Sequence, residues 1–191
     1  EKGQFIITPG TRRNEILALL REGLEDISIS RPVEKISWGI PVPGDDSQVM
    51  YVWFEALLNY ITVLGYPEHA DFKQFWPANV QVVGKGILRF HAAIFPGILL
   101  GLGLPLARQL YVHGYVTVDN KKMSKSLGNS VSPHDIISRY GADAFRYYFL
   151  RHVPSYDDGD FNWEAFEAAY NNELANELGN AVQRTAAMIQ K

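Results

Sequence analysis

The chain has 191 residues, 47% hydrophobic and 20% charged, enough to bury a domain core and unlike a disordered tail. It contains no cysteine, which excludes disulfides, thiolate metal sites and a cysteine nucleophile. With 18 Lys and Arg against 21 Asp and Glu the net charge is −3, so any contact with nucleic acid must come from a local patch.

Taken in order, residues 11–24 predict a helix, with Ile16, Leu17, Leu19, Leu20 and Leu24 as its apolar stripe and Gly23 near its end. Residues 27–30 alternate like a short strand, and a Pro/Gly loop, Trp38-Gly39-Ile40-Pro41-Val42-Pro43-Gly44, follows. Residues 49–52 read as a strand that feeds a helix over 53–64. Residues 80–83 form a second strand stopping at Gly84, followed by a buried helix from Ile87 to Leu102 and a strand over 109–113. This alternation predicts an α/β fold with a parallel sheet under covering helices. Ligands of such sheets sit beyond the carboxyl ends of the strands, here Trp53, Gly84-Lys85-Gly86 and His113-Gly114. The uncharged run from Ala92 to Ala107 is too short to span a membrane and contains two prolines. No signal peptide is visible, and a first residue Glu1 suggests a processed chain or a fragment.

Residues 116–119 predict another strand and Asp119-Asn120-Lys121 a turn. Ser132-Pro133-His134-Asp135 combines an N-cap, a proline at the first helical position and an acid in the first turn, so a helix starts there and ends near Gly141. A second helix covers 142–151, and a long one runs from Asn162 with Phe166, Tyr170, Leu174, Leu178 and Val182 in period. Sheet-type patterning gives way to helices near 160.

The loop Lys122-Met123-Ser124-Lys125-Ser126-Leu127-Gly128-Asn129 is the most informative segment. Lysines supply mobile point charges, hydroxyls supply donors and Gly128 lets the backbone bend, a combination suited to a polyphosphate. Read without context, it is equally a solvated charged loop. Trp53, Ala56, Leu57 and Tyr60 stand at i, i+3, i+4 and i+7, one helix face; the plain reading of such a stripe is core packing.

The string Lys-Met-Ser-Lys-Ser is the signature of class I aminoacyl-tRNA synthetases. Arg12-Arg13-Asn14-Glu15, Ser28-Ile29-Ser30-Arg31, the Trp38 loop, Tyr51-Val52-Trp53-Phe54-Glu55-Ala56, Val83-Gly84-Lys85, His113-Gly114-Tyr115 and Leu178-Gly179-Asn180 resemble the methionyl-tRNA synthetase family in the same order. The resemblance covers essentially the whole chain. It departs in three places: no His-x-Gly-His occurs, Gly86 stands where the family usually has aspartate, and Glu55 replaces a usual aspartate.

The resemblance implies the second half of a Rossmann-like parallel sheet, a helical stem-contact region and the start of an α-helical anticodon-binding bundle. Its divisions are 1–31 (return from a connective insertion), 32–120 (catalytic domain), 121–160 (signature loop and stem contact) and 161–191 (start of the bundle). It implies ATP-dependent activation of L-methionine and transfer to tRNA(Met), ATP being carried with Mg2+, no protein-bound metal in this chain, and a cytoplasmic location. Lys122 and Lys125 would bind the β- and γ-phosphates, with Met123, Ser124 and Ser126 completing the loop and Arg31 near the reacting groups. His113, Gly114 and Val116 would lie near the adenine, and Gly84 and Lys85 would offer backbone N–H groups to the anionic substrate. Trp53, Ala56, Leu57, Tyr60, Ile87 and His91 would line the methionine pocket, whose thioether packs well on aromatic rings. Asn180 and Arg184 would touch tRNA. The His-x-Gly-His half is expected before Glu1. The isolated chain is then a partial core, expected to be inactive and marginally soluble alone, or to associate with that half. The alternative is a non-catalytic module that binds methionine or tRNA, which the missing signature and Gly86 favour for the isolated chain.

Overall fold

The computed structural model describes residues 5–124, 126 and 128–190. The chain divides into two compact units, Glu1–Val112 and His113–Lys191. The pattern change read near 160 lies inside the second unit, where β-strand residues 159–161 pair with 116–118.

In the first unit, β1 (Ile6–Thr8) pairs in parallel with β6 (Gln109–His113), and β5 (Val80–Gly84) completes a three-stranded sheet of order β1-β6-β5. The pairing of Ile7 with Leu110 puts both on the inner face. There they join Ile16 of α1 (Gly10–Glu22), Val83, Leu88, Ala92 and Val112 in one core. Strand alternation sends Ile6, Val80 and Val82 to the other face, where all three are exposed.

Three further strands, β2 (Ser30–Pro32), β3 (Pro41–Val42) and β4 (Asp45–Met50), form a separate antiparallel sheet of order β2-β4-β3. This corrects two expectations. The strand predicted at 27–30 forms at Ser30–Pro32, where it can pair with β4. The strand predicted at 49–52 ends at Met50 and is antiparallel, so Trp53 does not follow a strand of the parallel sheet. The helix it feeds, α2 (Val52–Thr62), buries Leu57 and Ile61 in a second core with Trp76, Phe95 and Leu99. The indole N–H of Trp76 donates to the Pro105 carbonyl at 3.0 Å, so the buried ring leaves no polar atom unpaired. A short helix, α3 (Ala70–Phe75), lies between α2 and β5 in the chain.

The helix expected over 87–102 is three pieces: a tight 3-10 turn (Lys85–Ile87), a π-helical turn (Phe90–Ile94) and α4 (Phe95–Gly101). α1 stops at Glu22, short of Leu24, and Leu20 and Leu24 are exposed rather than part of its buried stripe.

In the second unit β7 (Val116–Val118) turns back on β8 (Lys121–Lys122) through Asp119 and Asn120, both left-handed (φ 50° and 58°). Such two-residue turns match the twist of a hairpin, and Asp and Asn tolerate the conformation better than other side chains. Asp160 fixes this turn: its Oδ1 accepts from the Thr117 hydroxyl at 2.6 Å and from the Asn120 N–H at 2.7 Å. Asn162 adds a bond from Nδ2 to Asp119 Oδ1 at 2.7 Å. Asp160 belongs to β9 (Gly159–Phe161), parallel to β7. A Cβ on buried Gly114 would overlap the backbone of Asp157 and Asp158, so the acidic loop can approach only a glycine.

α5 (Pro133–Tyr140) is capped by the Ser132 hydroxyl, which accepts from the His134 N–H at 3.2 Å. It packs with α6 (Ala142–His152) and α7 (Trp163–Ala169) around Phe161, Phe166, Ile136 and Tyr148. Beyond α7 the chain runs through a π-helical stretch (Tyr170–Leu178) into α8 (Gly179–Ile189). The Tyr147 hydroxyl and His152 converge on Glu173 of that stretch, and the tyrosine bond holds the Glu173 carboxyl below its usual range.

Candidate functional site

The aromatic constellation of the first unit is built by α2 and the π-helical turn. Trp53 stacks on Phe90, ring centroids 4.3 Å apart and 16° between planes, and meets the His91 ring edge-on at 6.4 Å. Tyr60 meets His91 edge-on at 5.6 Å and Phe95 at 5.5 Å. Of the residues on the predicted face, Trp53 and Tyr60 join these rings, whereas Ala56 is exposed and Leu57, 1% exposed, belongs to the core. The spacing places both kinds of residue on one helix, and only packing separates them.

His91 is 2% exposed, and its hydrogen bonds define its tautomer. Nδ1 lies 3.0 Å from the Ile87 carbonyl, which can only accept, so the ring proton sits on Nδ1. Nε2 then accepts from the Tyr60 hydroxyl at 3.0 Å. Burial pushes the His91 pKa down, partly opposed by the bond to Ile87, and burial pushes the Tyr60 hydroxyl up. Both groups are thus neutral near pH 7. The wall they form is polarizable and uncharged, suited to a small apolar side chain. Ile87 serves it twice, through its carbonyl and through a side chain packed on the first core. Sequence reasoning missed Phe90. Its signal was adjacency to His91, and the π-helical turn, a feature frequent at functional sites, puts it under Trp53.

Arg31 lies on β2. Its Nη1 donates to the carbonyls of Ser28 at 2.9 Å and Ser30 at 2.7 Å, and its guanidinium stands 3.8 Å from the centroid of the Tyr51 ring. The stacking and the two bonds fix the direction of a permanent positive charge. Gly84 ends β5 and half-buried Lys85 opens the tight turn. A groove of about 780 Å³ between α1, Phe54 and the 89–98 helix contains none of the predicted site residues.

In the second unit, Lys122 ends the hairpin opposite Thr117. It is exposed, and its ammonium lies 5.9 Å from the Tyr115 ring centroid. Met123 turns inward and packs on the second unit's core. Ser124 and Ser126 share a hydrogen bond of 2.7 Å between hydroxyls. Lys125 and Leu127 lie outside the described residues. Exposed His113 bonds through Nδ1 to the Gly114 carbonyl at 2.7 Å, and Val116 packs inward beside Met123. Asn180 and Arg184 lie one turn apart on α8, both exposed. Among the described residues no group of three His, Asp or Glu is placed to hold a metal, and no helix is long and apolar enough to cross a membrane.

An α/β unit with a wall of aromatic rings, and the sequence Lys122-Met123-Ser124-Lys125-Ser126 following the β7–β8 hairpin, point to a class I aminoacyl-tRNA synthetase. The family model described as "tRNA synthetases class I (M)" matches residues 6–186, and the chain belongs to that family. Its curated relatives are methionine–tRNA ligases. That of Brucella suis biovar 1 is 47% identical over 192 positions, covering 100% of this chain and 37% of the relative. That of Caldanaerobacter subterraneus is 49% identical over 193 positions, covering 100% of this chain and 30% of the relative. Among solved structures, Mycobacterium tuberculosis methionyl-tRNA synthetase in complex with methionyl-adenylate superposes with a TM-score of 0.86 at 43% identity, over 97% of this chain and 36% of that one. The chain spans about a third of the length of these relatives.

Proposed function

We propose that the protein activates L-methionine with ATP and transfers it to tRNA(Met) in the cytoplasm. The observation that carries this reading is the neutral aromatic wall of Trp53, Tyr60, Phe90 and His91. A charged imidazolium there would lose solvation without a counter-charge, so the bonded neutral tautomer favours an uncharged thioether. Leucine and isoleucine differ from methionine in branching and in lacking the sulfur, and shape differences of this size are worth about 1–3 kcal/mol each in such a pocket.

In the first step the methionine carboxylate attacks the α-phosphorus of ATP, carried as its Mg2+ complex. A carboxylate O–P bond forms, the bond from the α-phosphorus to the bridging oxygen breaks, and pyrophosphate leaves. Negative charge grows on that leaving group, and Lys122 and Lys125 would hold it; a donor that acts where charge develops lowers the barrier by about 3–4 kcal/mol. Arg31, oriented by its carbonyl bonds and Tyr51, would hold an anionic group of the reactants. In the second step a terminal ribose hydroxyl of the tRNA attacks the activated carbonyl and AMP leaves. Asn180 and Arg184 are the proposed tRNA contacts. Leu57 would support the pocket from behind rather than touch methionine, and Met123 and Val116 would act from beneath the nucleotide loop, since their side chains face the core.

Methionine-dependent ATP–pyrophosphate exchange by the intact protein tests the reading, with exchange expected for methionine and not for leucine. A non-catalytic module that binds methionine or tRNA is the second reading, favoured by Gly86 where the family usually carries aspartate. It predicts binding of methionine or tRNA without exchange, and Gly86→Asp is then the first variant to examine.

A further inference from the structure

The signature loop is held by a side chain that lies outside its five-residue motif. Asn129 is half-buried and bonds to both sides of Met123. Its Oδ1 accepts from the Ser124 N–H at 2.9 Å, and its Nδ2 donates to the Lys122 carbonyl at 3.2 Å. One amide thereby satisfies a donor and an acceptor two residues apart, bridging the backbone from 122 to 124. Few other side chains offer an acceptor and a donor on one planar group of that size.

The residue between the clamped groups has its own anchor. Met123 lines an apolar cavity of about 180 Å³ with Val116, Ile136, Phe145, Phe149 and Phe161. A cavity of that lining leaves room for the flexible thioether to shift. Apolar packing alone would thus fix the depth of Met123 but not the direction of its neighbours. The amide supplies the direction: it holds the Lys122 carbonyl, while the hairpin pairs Lys122 with Thr117 on the preceding side.

We propose that Asn129 is a positioning residue: it orients Lys122 toward the leaving pyrophosphate by clamping the Lys122 carbonyl and the Ser124 N–H around Met123. This rests on the reading of Lys122 as a phosphate ligand. In this role Asn129 acts through the Lys122 and Ser124 backbone rather than on the reactants. Its loss lets the loop sample other shapes and lowers the rate, because a displacement on the order of 1 Å at a reacting group costs up to about 100-fold.

The test is a mutant cycle in the intact protein, read by ATP–pyrophosphate exchange, with ATP, pyrophosphate and methionine varied separately. Asn129→Ala is expected to lower kcat/KM for ATP about tenfold. Its KM for methionine and its Tm are expected to stay close to those of the parent, since the two bonds that are lost join half-buried or exposed groups and Met123 keeps its apolar packing. In a Lys122→Ala background, Asn129→Ala is expected to change the rate by less than about twofold, because its effect passes through Lys122. Full additivity of the two losses overturns the proposal, as does an Asn129→Ala protein that matches the parent while Lys122→Ala is disabled. A Lys122→Ala protein that retains full exchange overturns the reading of the loop and the clamp with it, a result distinct from the other two. If Asn129→Ala unfolds, Asn129→Ser, which keeps a smaller hydrogen-bonding group, replaces it in the cycle: loss of its effect in the Lys122→Ala background supports the proposal, and additivity overturns it.

Discussion

In the first unit His91 is almost fully buried, with both ring nitrogens bonded and the rings of Trp53 and Tyr60 edge-on to it; in the second, Lys122 is exposed, the Asn129 amide bonds its carbonyl and the Ser124 N–H, and Met123 packs inward between them. On the proposed reading the two regions serve different chemistries. In the first, an apolar side chain would be recognised by excluding water and matching shape, which favours rings packed in place before the ligand arrives. A polyphosphate arrives with its own charge and hydration, and would be met by an exposed lysine whose flexible stem gives reach while its backbone is held in direction. The aromatic wall draws on core packing, while residues 122–124 draw on hairpin geometry and a few polar bonds. Substitutions in the pocket should act on methionine affinity, and substitutions in the loop on the rate.

Lys122→Ala should separate the two regions most clearly. It is expected to lower the exchange rate about 100- to 1,000-fold. Methionine binding measured without ATP should be unchanged; a weakened methionine Kd would show that the two regions are not separable in function. Next in size is Gly114→Ala. The added methyl meets the backbone of Asp157 and Asp158, and overpacking of this kind costs about 1–3 kcal/mol. Denaturant unfolding followed by circular dichroism should show it, and an unchanged midpoint would mean that the acidic loop can move away from Gly114.

Trp53→Ala removes one half of a stacked pair and should raise the KM for methionine about tenfold while leaving the KM for ATP unchanged. An equal rise in both would contradict the division of labour. Ser132→Ala deletes the cap of α5 and should cost about 1 kcal/mol of stability, read as a lower Tm.

A gentler effect concerns pH. Burial lowers the His91 pKa, so the folded protein keeps this ring neutral where the unfolded chain, near the ordinary value of 6.5, takes up a proton. Its contribution to stability is complete above pH 6.5 and declines as the pH falls below it. Tyr60 and the Ile87 carbonyl face the ring as neutral hydrogen-bond partners, and the Ile87 bond opposes the effect of burial only in part. Unfolding measured at pH values of about 7.5 and about 5.5 should show a gentler slope in His91→Gln than in the parent. Equal slopes would assign the dependence to other groups.

Local signals were legible where one stretch of chain holds its own reasons. The Ser132-Pro133 start, the Asn162 start of the last long helix, the strand over 109–113 and the Asp119-Asn120 turn all form where their residue types require. β1 was not legible. Three residues show no period, and they form a strand because Gln109, Leu110 and Tyr111 lie beside them, about a hundred positions later in the chain. The strand ending at Met50 was legible as a strand but not as antiparallel, since its apolar pattern is the same for either partner.

Residue types and their order set the chemistry on offer: a lysine- and hydroxyl-bearing loop, an aromatic helix face, no thiol, and the resemblance those residues carry. Folding in three dimensions selected which of those groups act together. It put Leu57 in the core and Phe90 under Trp53, closed the Tyr60–His91–Ile87 chain that fixes a neutral tautomer, turned Met123 inward and placed Asn129 across its flanks. The difference is one of range. Capping, turn preference and charge act over a few residues, whereas ring stacking, burial and a shared amide depend on atoms that only folding brings within a few ångströms of one another.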